Sequence, residues 1–142
     1  MIVQAYFLLS DEDKALAKRL WEDNMKEPWF VYDKADMFVV LHDEKILGGF
    51  AVYRDNSDGV KGLFCSGWTA RHSKVPADRI LQRLADSVGD VFFKTDQRAA
   101  KFLLEKIGEK VKKTERFCYY IIRGNENGKT KRSSGRKGQR KL

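Results

Sequence analysis

The sequence predicts one α/β domain, a mixed β-sheet covered by helices, followed by a basic tail without structure of its own. Three observations carry this expectation. Strand-length apolar runs and segments with helical apolar spacing interleave over residues 1–123 in the order β-α-(α)-β-β-β-α-β-α-β, without internal repeats. An antiparallel hairpin in that order precedes a strand–helix–strand–helix–strand series, which requires parallel and antiparallel neighbours in one sheet. The charge is also unevenly spread. The 142 residues carry a net +8, yet Met1 to Arg123 holds 21 basic and 19 acidic residues, a net of +2.

The elements follow in order. Ile2 to Leu9 reads as a first strand, and Ser10 as the N-cap of a helix with Asp13 three residues on, a variant capping box. Leu16, Leu20 and Trp21 give that helix its apolar face, and it fades near Asn24. Met25 to Asp36, with Pro28, Trp29, Phe30 and Tyr32, reads as a short second helix or an aromatic loop. Met37–Leu41, the turn His42–Lys45 and Ile46–Tyr53 form a hairpin. Asp55–Gly59 is a second turn, and Lys61–Trp68 a strand whose two glycines mark a bulge or a close approach. Pro76 stands as the first residue of a helix with Ile80, Leu81, Leu84, Ala85 and Val88 as its buried stripe, ended by Gly89. Val91–Thr95 is a short strand. Asp96 caps a helix with the face Ala100, Leu103, Leu104 and Ile107, stopped by Gly108, and Glu115–Arg123 is the last strand. Lys110-Val111-Lys112-Lys113 between them reads as a basic edge.

Residues 124–142 contain Lys129, Lys131, Arg132, Arg136, Lys137, Arg140 and Lys141 against one acid, Glu126, with no aromatic residue and Leu142 as the sole aliphatic. Such a segment buries too little apolar surface to offset its ordering entropy, so the domain is expected at 1–123 and a disordered tail at 124–142. Clustered charge of this kind is a handle for DNA or RNA, or else simply a solvated, solubilising tail. Cys65 and Cys118 lie in apolar runs without CxxC or Cys/His spacing, which speaks against a zinc site and a disulfide framework and for a reducing compartment. The apolar start lacks a basic leader and is followed at once by Asp11, Glu12 and Asp13, and no stretch approaches membrane-spanning length. A soluble protein of the cytoplasm is expected.

Two segments carry a resemblance to a known family. Asp43-Glu44-Lys45-Ile46-Leu47-Gly48-Gly49-Phe50-Ala51-Val52 resembles the second and third strands of the GNAT (Gcn5-related) N-acetyltransferases, where a charged turn leads into a Gly-rich third strand. Gln97 to Gly108 is similar to the family's last helix, Asn-x-x-Ala-x-x-Leu-Tyr-Glu-Lys-Leu-Gly-Phe, with Ala100, Leu103, Glu105, Lys106 and Gly108 in register. The element order over about 120 residues resembles the family fold, and the small size resembles GNAT-like proteins of short-tailed bacteriophages, which implies host cytoplasm or virion as the setting and virion proteins as partners.

The resemblance implies acetyl-CoA in a cleft where the fourth and fifth strands splay apart. Pantetheine would pair with strand backbone, here Phe64, Cys65 and Ser66 within Leu63–Trp68, with Gln97 at the head of the last helix. Pyrophosphate would sit on the loop and helix start Arg71–Arg79, at Arg71, His72, Ser73, Lys74 and Arg79, using free N–H groups and the helix dipole. This sequence departs from the family there. The family loop reads Arg/Gln-x-x-Gly-x-Gly/Ala, and Lys74 and Pro76 stand where glycines belong. Pro76 also removes an N–H donor, and Asp78 adds a negative charge to the first turn. The family's tyrosine acid maps onto Leu104, so a thiolate proton would come from water, Tyr119 or Tyr120. His72 and His42 read as solvated turn residues, Cys65 as a small buried residue, and Trp29, Phe30 and Tyr32 as an acceptor wall or a cap on the core. Three readings follow: an acetyl-CoA-dependent N-acetyltransferase with an unknown amine acceptor, a non-catalytic GNAT-fold protein held to nucleic acid by its tail, and an adaptor acting through its aromatic segment.

Overall fold

The computed structural model describes residues 1–29 and 34–125. The tail cations Lys129 to Lys141, and Phe30 and Tyr32 of the aromatic segment, lie outside the described residues. The elements are β1 (Ile2–Ala5), a 3-10 turn (Tyr6–Leu8), α1 (Asp11–Met25), β2 (Asp36–His42), β3 (Lys45–Ser57), β4 (Val60–Thr69), α2 (Ala77–Val88), β5 (Val91–Thr95), α3 (Arg98–Ile107), β6 (Glu109–Lys113) and β7 (Cys118–Ile122). One seven-stranded sheet runs β1-β2-β3-β4-β5-β7-β6. Every neighbouring pair is antiparallel except β4 and β5, which are parallel. The α/β class expected from the sequence is the observed one.

Local chemistry explains most boundaries. Ser10 Oγ accepts from the Asp13 N–H at 3.2 Å, and Asp11, Glu12 and Asp13 place negative charge at the positive end of α1. Lys26, at φ 59°, ends the helix in the left-handed region. The two hairpins turn on residue pairs at positive φ, Asp43–Glu44 (51° and 63°) and Asp58–Gly59 (52° and 83°), the twist that matches paired strands. Strand pairing thus reaches Ser57, where a turn from Asp55 was expected. Gly67 answers the question its strand position raised. A Cβ there would lie 2.2 Å from the Gly49 carbonyl oxygen, so β3 and β4 approach as only glycine permits.

The sheet separates two cores. α2 and α3 cover one face, with Phe50, Cys65, Ile80, Leu84, Leu104 and Tyr120 among the buried residues. α1 covers the other, where Ala17 and Trp21 pack with Trp29, Val39, Ala51 and Trp68. On this second face the β3–β4 hairpin tip reaches across to β7 and β6. Tyr119 Oη donates to the Asp58 carboxylate and lies 2.8 Å from Ser57 Oγ, while Lys112 Nζ donates to the Asp58 carbonyl. Gly62, at φ 153°, sits where a Cβ would meet the Phe92 ring at 2.8 Å.

Several expectations are corrected. The first strand ends at Ala5, and Tyr6–Leu8 form a 3-10 turn. Pro76 is the N-cap of α2 rather than its first residue, and Gln97 rather than Asp96 caps α3, with the Gln97 N–H donating to Thr95 Oγ1 at 3.0 Å. Among the described residues of 25–36 there is no second helix. The basic edge 109–113 is a strand, paired to β7 with an irregularity between Lys110 and Lys112. All five of its residues are exposed, so no apolar alternation announces it, and lysines guard the unpaired outer edge. Beyond β7, the Gly124 N–H donates to Asp90 at 2.8 Å and the Asn125 N–H to Asp86, tying the end of the described chain to the end of α2.

Candidate functional site

Parallel β4 and β5 share one paired position, Phe64 with Phe92. Beyond it Cys65–Thr69 and Phe93–Thr95 diverge, and a cavity of about 300 Å³ opens between them. Side chains alternate across a strand, so Cys65, Gly67, Phe93 and Thr95 meet the cavity from the α2–α3 face, and Ser66, Trp68 and Lys94 from the α1 face. Leu81, Ala100, Leu103 and Leu104 close it from the helices, and Gln97 stands at its rim. On its other edge β4 is fully paired to β3. Toward the cavity its backbone amides and carbonyls face no strand.

Polar groups are few. Ser66 Oγ lies 3.2 Å from Tyr53 Oη, and Thr69, Thr95 and Gln97 add short donors and acceptors. Trp68 Nε1 is buried without a hydrogen-bond partner. Burial pushes the Cys65 thiol well above its usual range, so it stays protonated and is no nucleophile. Lys94 is the single ionic side chain among the described lining residues. No carboxylate or imidazole is among them.

The loop between β4 and α2 has a different character. His72 sits in the left-handed region at φ 58°. Ser73 Oγ accepts the Val75 N–H at 3.2 Å and donates to the Val75 carbonyl. The Arg79 N–H is taken by the Asp78 carboxylate at 2.9 Å and the Pro76 carbonyl at 3.1 Å. Arg71, His72, Lys74 and Arg79 are exposed.

Of the residues singled out from the sequence, Cys65, Ser66 and Gln97 therefore line the cavity. Phe64 is buried at its apex, in ring contact with Tyr53, Phe92 and Tyr119. Arg71, His72, Ser73 and Lys74 lie on the loop that leaves Thr69, and Arg79 in the first turn of α2, all outside the cavity lining. Leu104 does line it. Tyr119 and Tyr120 do not: both are fully buried, and their hydroxyls serve Asp58 and, at 2.8 Å, Glu105. Burial first, then the adjacent carboxylate, raises the pKa of each phenol. Neither is placed to protonate a group in the cleft. Trp29 is buried in the α1-side core, and His42 lies 3.6 Å from Asp43 in its turn. Sequence reasoning missed Thr69, Lys94, Thr95 and Ala100 as lining residues. The polar end of an apolar strand, Lys94-Thr95, was the available signal.

A larger cavity, about 530 Å³, lies between β1 and α2, lined by Ile2, Val3, Asp36, Phe38, Arg83 and Asp86 among others. It is the gap that the four-residue β1 leaves beside the helix. Asp86 there is already engaged by Gln82 and the Asn125 amide. Among the described residues no group of three or more His, Cys, Asp or Glu is placed to hold a metal, and no helix is long and apolar enough to cross a membrane.

This sheet order, with a parallel β4–β5 pair splayed beyond one position, is the fold of the GNAT acetyltransferases. N-acetyltransferase PseH of Campylobacter jejuni superposes on 87% of this chain and 98% of its own, with a TM-score of 0.55 at 12% identity. Its complex with acetyl coenzyme A gives 87%, 99%, 0.55 and 11% in the same terms. Ribosomal-protein-alanine N-acetyltransferase from Brucella melitensis matches 87% of this chain and 99% of its own, with a TM-score of 0.52 at 8% identity. Aminoglycoside N(6')acetyltransferase from Legionella pneumophila matches 84% and 78%, at 0.53 and 9%. At such identities the likeness is one of architecture. No family model matches the chain, and no curated protein does.

Proposed function

We propose that this protein is an N-acyltransferase that takes acetyl-CoA in the β4–β5 cleft and transfers the acetyl group to an amine. One observation carries the reading. The two parallel strands part after Phe64 and Phe92 and leave strand backbone facing a lined cavity. The donor set suits the pantetheine arm, an apolar chain interrupted by amides: strand amides and carbonyls, Ser66, Thr69, Thr95 and Gln97 among apolar walls. A volume of about 300 Å³ is at the low end for ligand pockets and suits the arm rather than the whole nucleotide. Acetyl coenzyme A bound to the similarly folded PseH supports the same choice.

The loop supports a weaker grip on pyrophosphate. Pro76 has no N–H, and those of Val75 and Arg79 are engaged within the chain, so Arg71, Lys74 and Arg79 would supply charge in place of amides. The bound cofactor supplies the thioester. The protein's own part is to align it against β4, exclude water with Leu81, Leu103 and Leu104, and admit the amine from the α1 face. With no carboxylate or imidazole among the described lining residues, the amine would enter neutral or give its proton to water, and Leu104 has no proton to offer a thiolate.

Titration of acetyl-CoA by calorimetry tests this. Saturable binding that is lost in Ala100→Trp, a variant that fills the cavity from α3, is the expected result. Absence of binding at millimolar cofactor would overturn the reading. A second reading draws support from the self-satisfied loop: a non-catalytic GNAT-fold protein, a virion or DNA-associated component, attached to nucleic acid through the basic tail of residues 124–142. It is favoured if cofactor fails to bind while DNA affinity falls on removal of those residues.

A further inference from the structure

On the α1 side of the cleft, the one ionic side chain among the described lining residues is a cation, Lys94. Lys94 is exposed, lines the cavity, and has a neutral hydroxyl, Ser57 Oγ at 3.2 Å, as its hydrogen-bond partner. Its ammonium lies 5.1 Å from the centroid of the Phe117 ring, and the Arg116 guanidinium lies 4.8 Å from the same centroid. One aromatic ring thus gathers two cations, Lys94, which lines the cavity, and Arg116, which lies outside its lining.

The carboxylates nearby are committed elsewhere or weakly held. Asp58 accepts from Tyr119 Oη, and its carbonyl accepts from Lys112. Asp96 reaches Arg116 at 3.9 Å, with the Arg116 side chain 76% exposed, a separation and exposure at which an ion pair contributes little. No carboxylate among the described residues comes within ion-pair distance of Lys94. Lys94, with no carboxylate at ion-pair distance, and Arg116, held only weakly by Asp96, leave positive charge beside the cleft that disfavours a polycationic acceptor and favours an anionic one.

We propose that the acceptor is a small primary amine that also carries an anionic group, a carboxylate or a phosphate, bound by Lys94 with Arg116 beside it. This rests on the transferase reading for the reaction, but not for the binding. The neutral amine nitrogen attacks the thioester carbonyl carbon, a C–N bond forms and the C–S bond breaks. The amine gives up one proton to water, and the sulfur leaves as the free thiol after taking one from water. The anionic group remains unchanged and serves only to place the nitrogen. Lys94 is the specificity determinant, because it alone joins the rim charge to the cavity lining.

The experiment uses the full-length protein and matched probes: ethanolamine against phosphoethanolamine, glucosamine against glucosamine 6-phosphate, butylamine against γ-aminobutyrate, and spermidine. Thiol release at saturating acetyl-CoA should favour the anionic member of at least one pair by tenfold or more in kcat/KM. Lys94→Met should erase that preference chiefly through KM, and Lys94→Arg should restore most of it. The phosphate and carboxylate pairs distinguish the two sources of negative charge. In parallel, calorimetry without cofactor should show salt-sensitive binding of the preferred anionic amine that Lys94→Met removes. If this binding is seen with no thiol release from any amine, the anion site stands and the transferase reading falls. Equal or better use of butylamine or spermidine, with no effect of Lys94→Met, overturns the proposal while leaving acetyl transfer intact. Absence of both binding and preference overturns it as well.

Discussion

The cleft between β4 and β5 and the loop that follows β4 are neighbours built on opposite principles. In the cleft, the strand geometry of the GNAT fold is present, and Cys65, Ser66 and Gln97 were named from the sequence while Thr69, Lys94 and Thr95 were not. In the loop, the residues were named from the sequence, and their backbone donors are engaged within the chain. The cleft is made by topology: a parallel neighbour that pairs once and parts exposes backbone whatever the side chains are. The loop depends on particular amides being free. Ser73, Pro76 and Asp78 are enough to alter that, by occupying the Val75 N–H, removing one donor and engaging the Arg79 N–H.

The strongest way to break the comparison is at the apex. Phe64 is 1% exposed and stacks or tilts against Tyr53, Phe92 and Tyr119 at 5.5 to 6.3 Å. Truncation to Ala removes the contact that joins the two halves of the sheet. Phe64→Ala should cost about 3–5 kcal/mol, the range for a buried phenylalanine, measured by urea denaturation. A loss below about 1 kcal/mol would mean that the junction is held by backbone alone.

The next effect concerns the loop. If side-chain cations have taken over from amides, Arg71→Ala with Lys74→Ala should weaken acetyl-CoA binding by roughly tenfold or more, at about 1 kcal/mol for each exposed charge-assisted contact. The remaining binding should respond less to salt. Unchanged affinity in the double variant would show that the pyrophosphate does not use this loop.

What the sequence disclosed follows the same division. Helices and hairpins were legible because Ser10, Gly89, Gly108 and the periodic stripe of α2 act locally. β6 was not legible, since Glu109–Lys113 is exposed along its whole length and is a strand only because β7 offers it an edge. Cleft residues on the expected strand, Cys65 and Ser66, were within reach of sequence reasoning. Lys94 and Thr95 offered only the signal of a polar end on an apolar strand, because which strand parts from which is settled by tertiary pairing. Tyr119 and Tyr120 looked like available acids, and only the fold shows them spoken for by Asp58 and Glu105.

Those two tyrosines give a smaller effect with a definite sign. Each has a folded-state pKa raised above the ordinary phenol value of 10, by burial and then by its carboxylate partner. A raised pKa means that the folded state holds the proton more tightly. The stability is complete below pH 10 and is lost as pH rises through the folded values. The native protein should therefore lose stability above pH 10, and Tyr119→Phe or Tyr120→Phe should flatten that decline. At neutral pH each change should cost about 1 kcal/mol for the lost hydrogen bond. Thermal melts between pH 7 and 11 decide the matter, and an unaltered alkaline limb in both variants would refute it.

The smallest effect tests whether the loop's departure can be reversed. Pro76 is the N-cap of α2 with φ −68° and ψ 152°, and its carbonyl accepts from Ile80 at 3.2 Å. Glycine adopts the same conformation, keeps that carbonyl, and returns an N–H at the head of the helix, where the dipole favours an anion. It also frees the unfolded chain, so Pro76→Gly should lower stability by about 0.5–1 kcal/mol. Acetyl-CoA affinity should move the other way, rising a few-fold, because one neutral amide offsets only part of the charge that Asp78 adds in the same turn. Pairing the change with Asp78→Asn should add to the gain. Opposite signs in melting temperature and in calorimetric affinity would mark Pro76 as a residue that serves the fold at the expense of phosphate binding. A parallel loss of both would place the cofactor's pyrophosphate away from α2 and leave the strand cleft as the whole of the donor site.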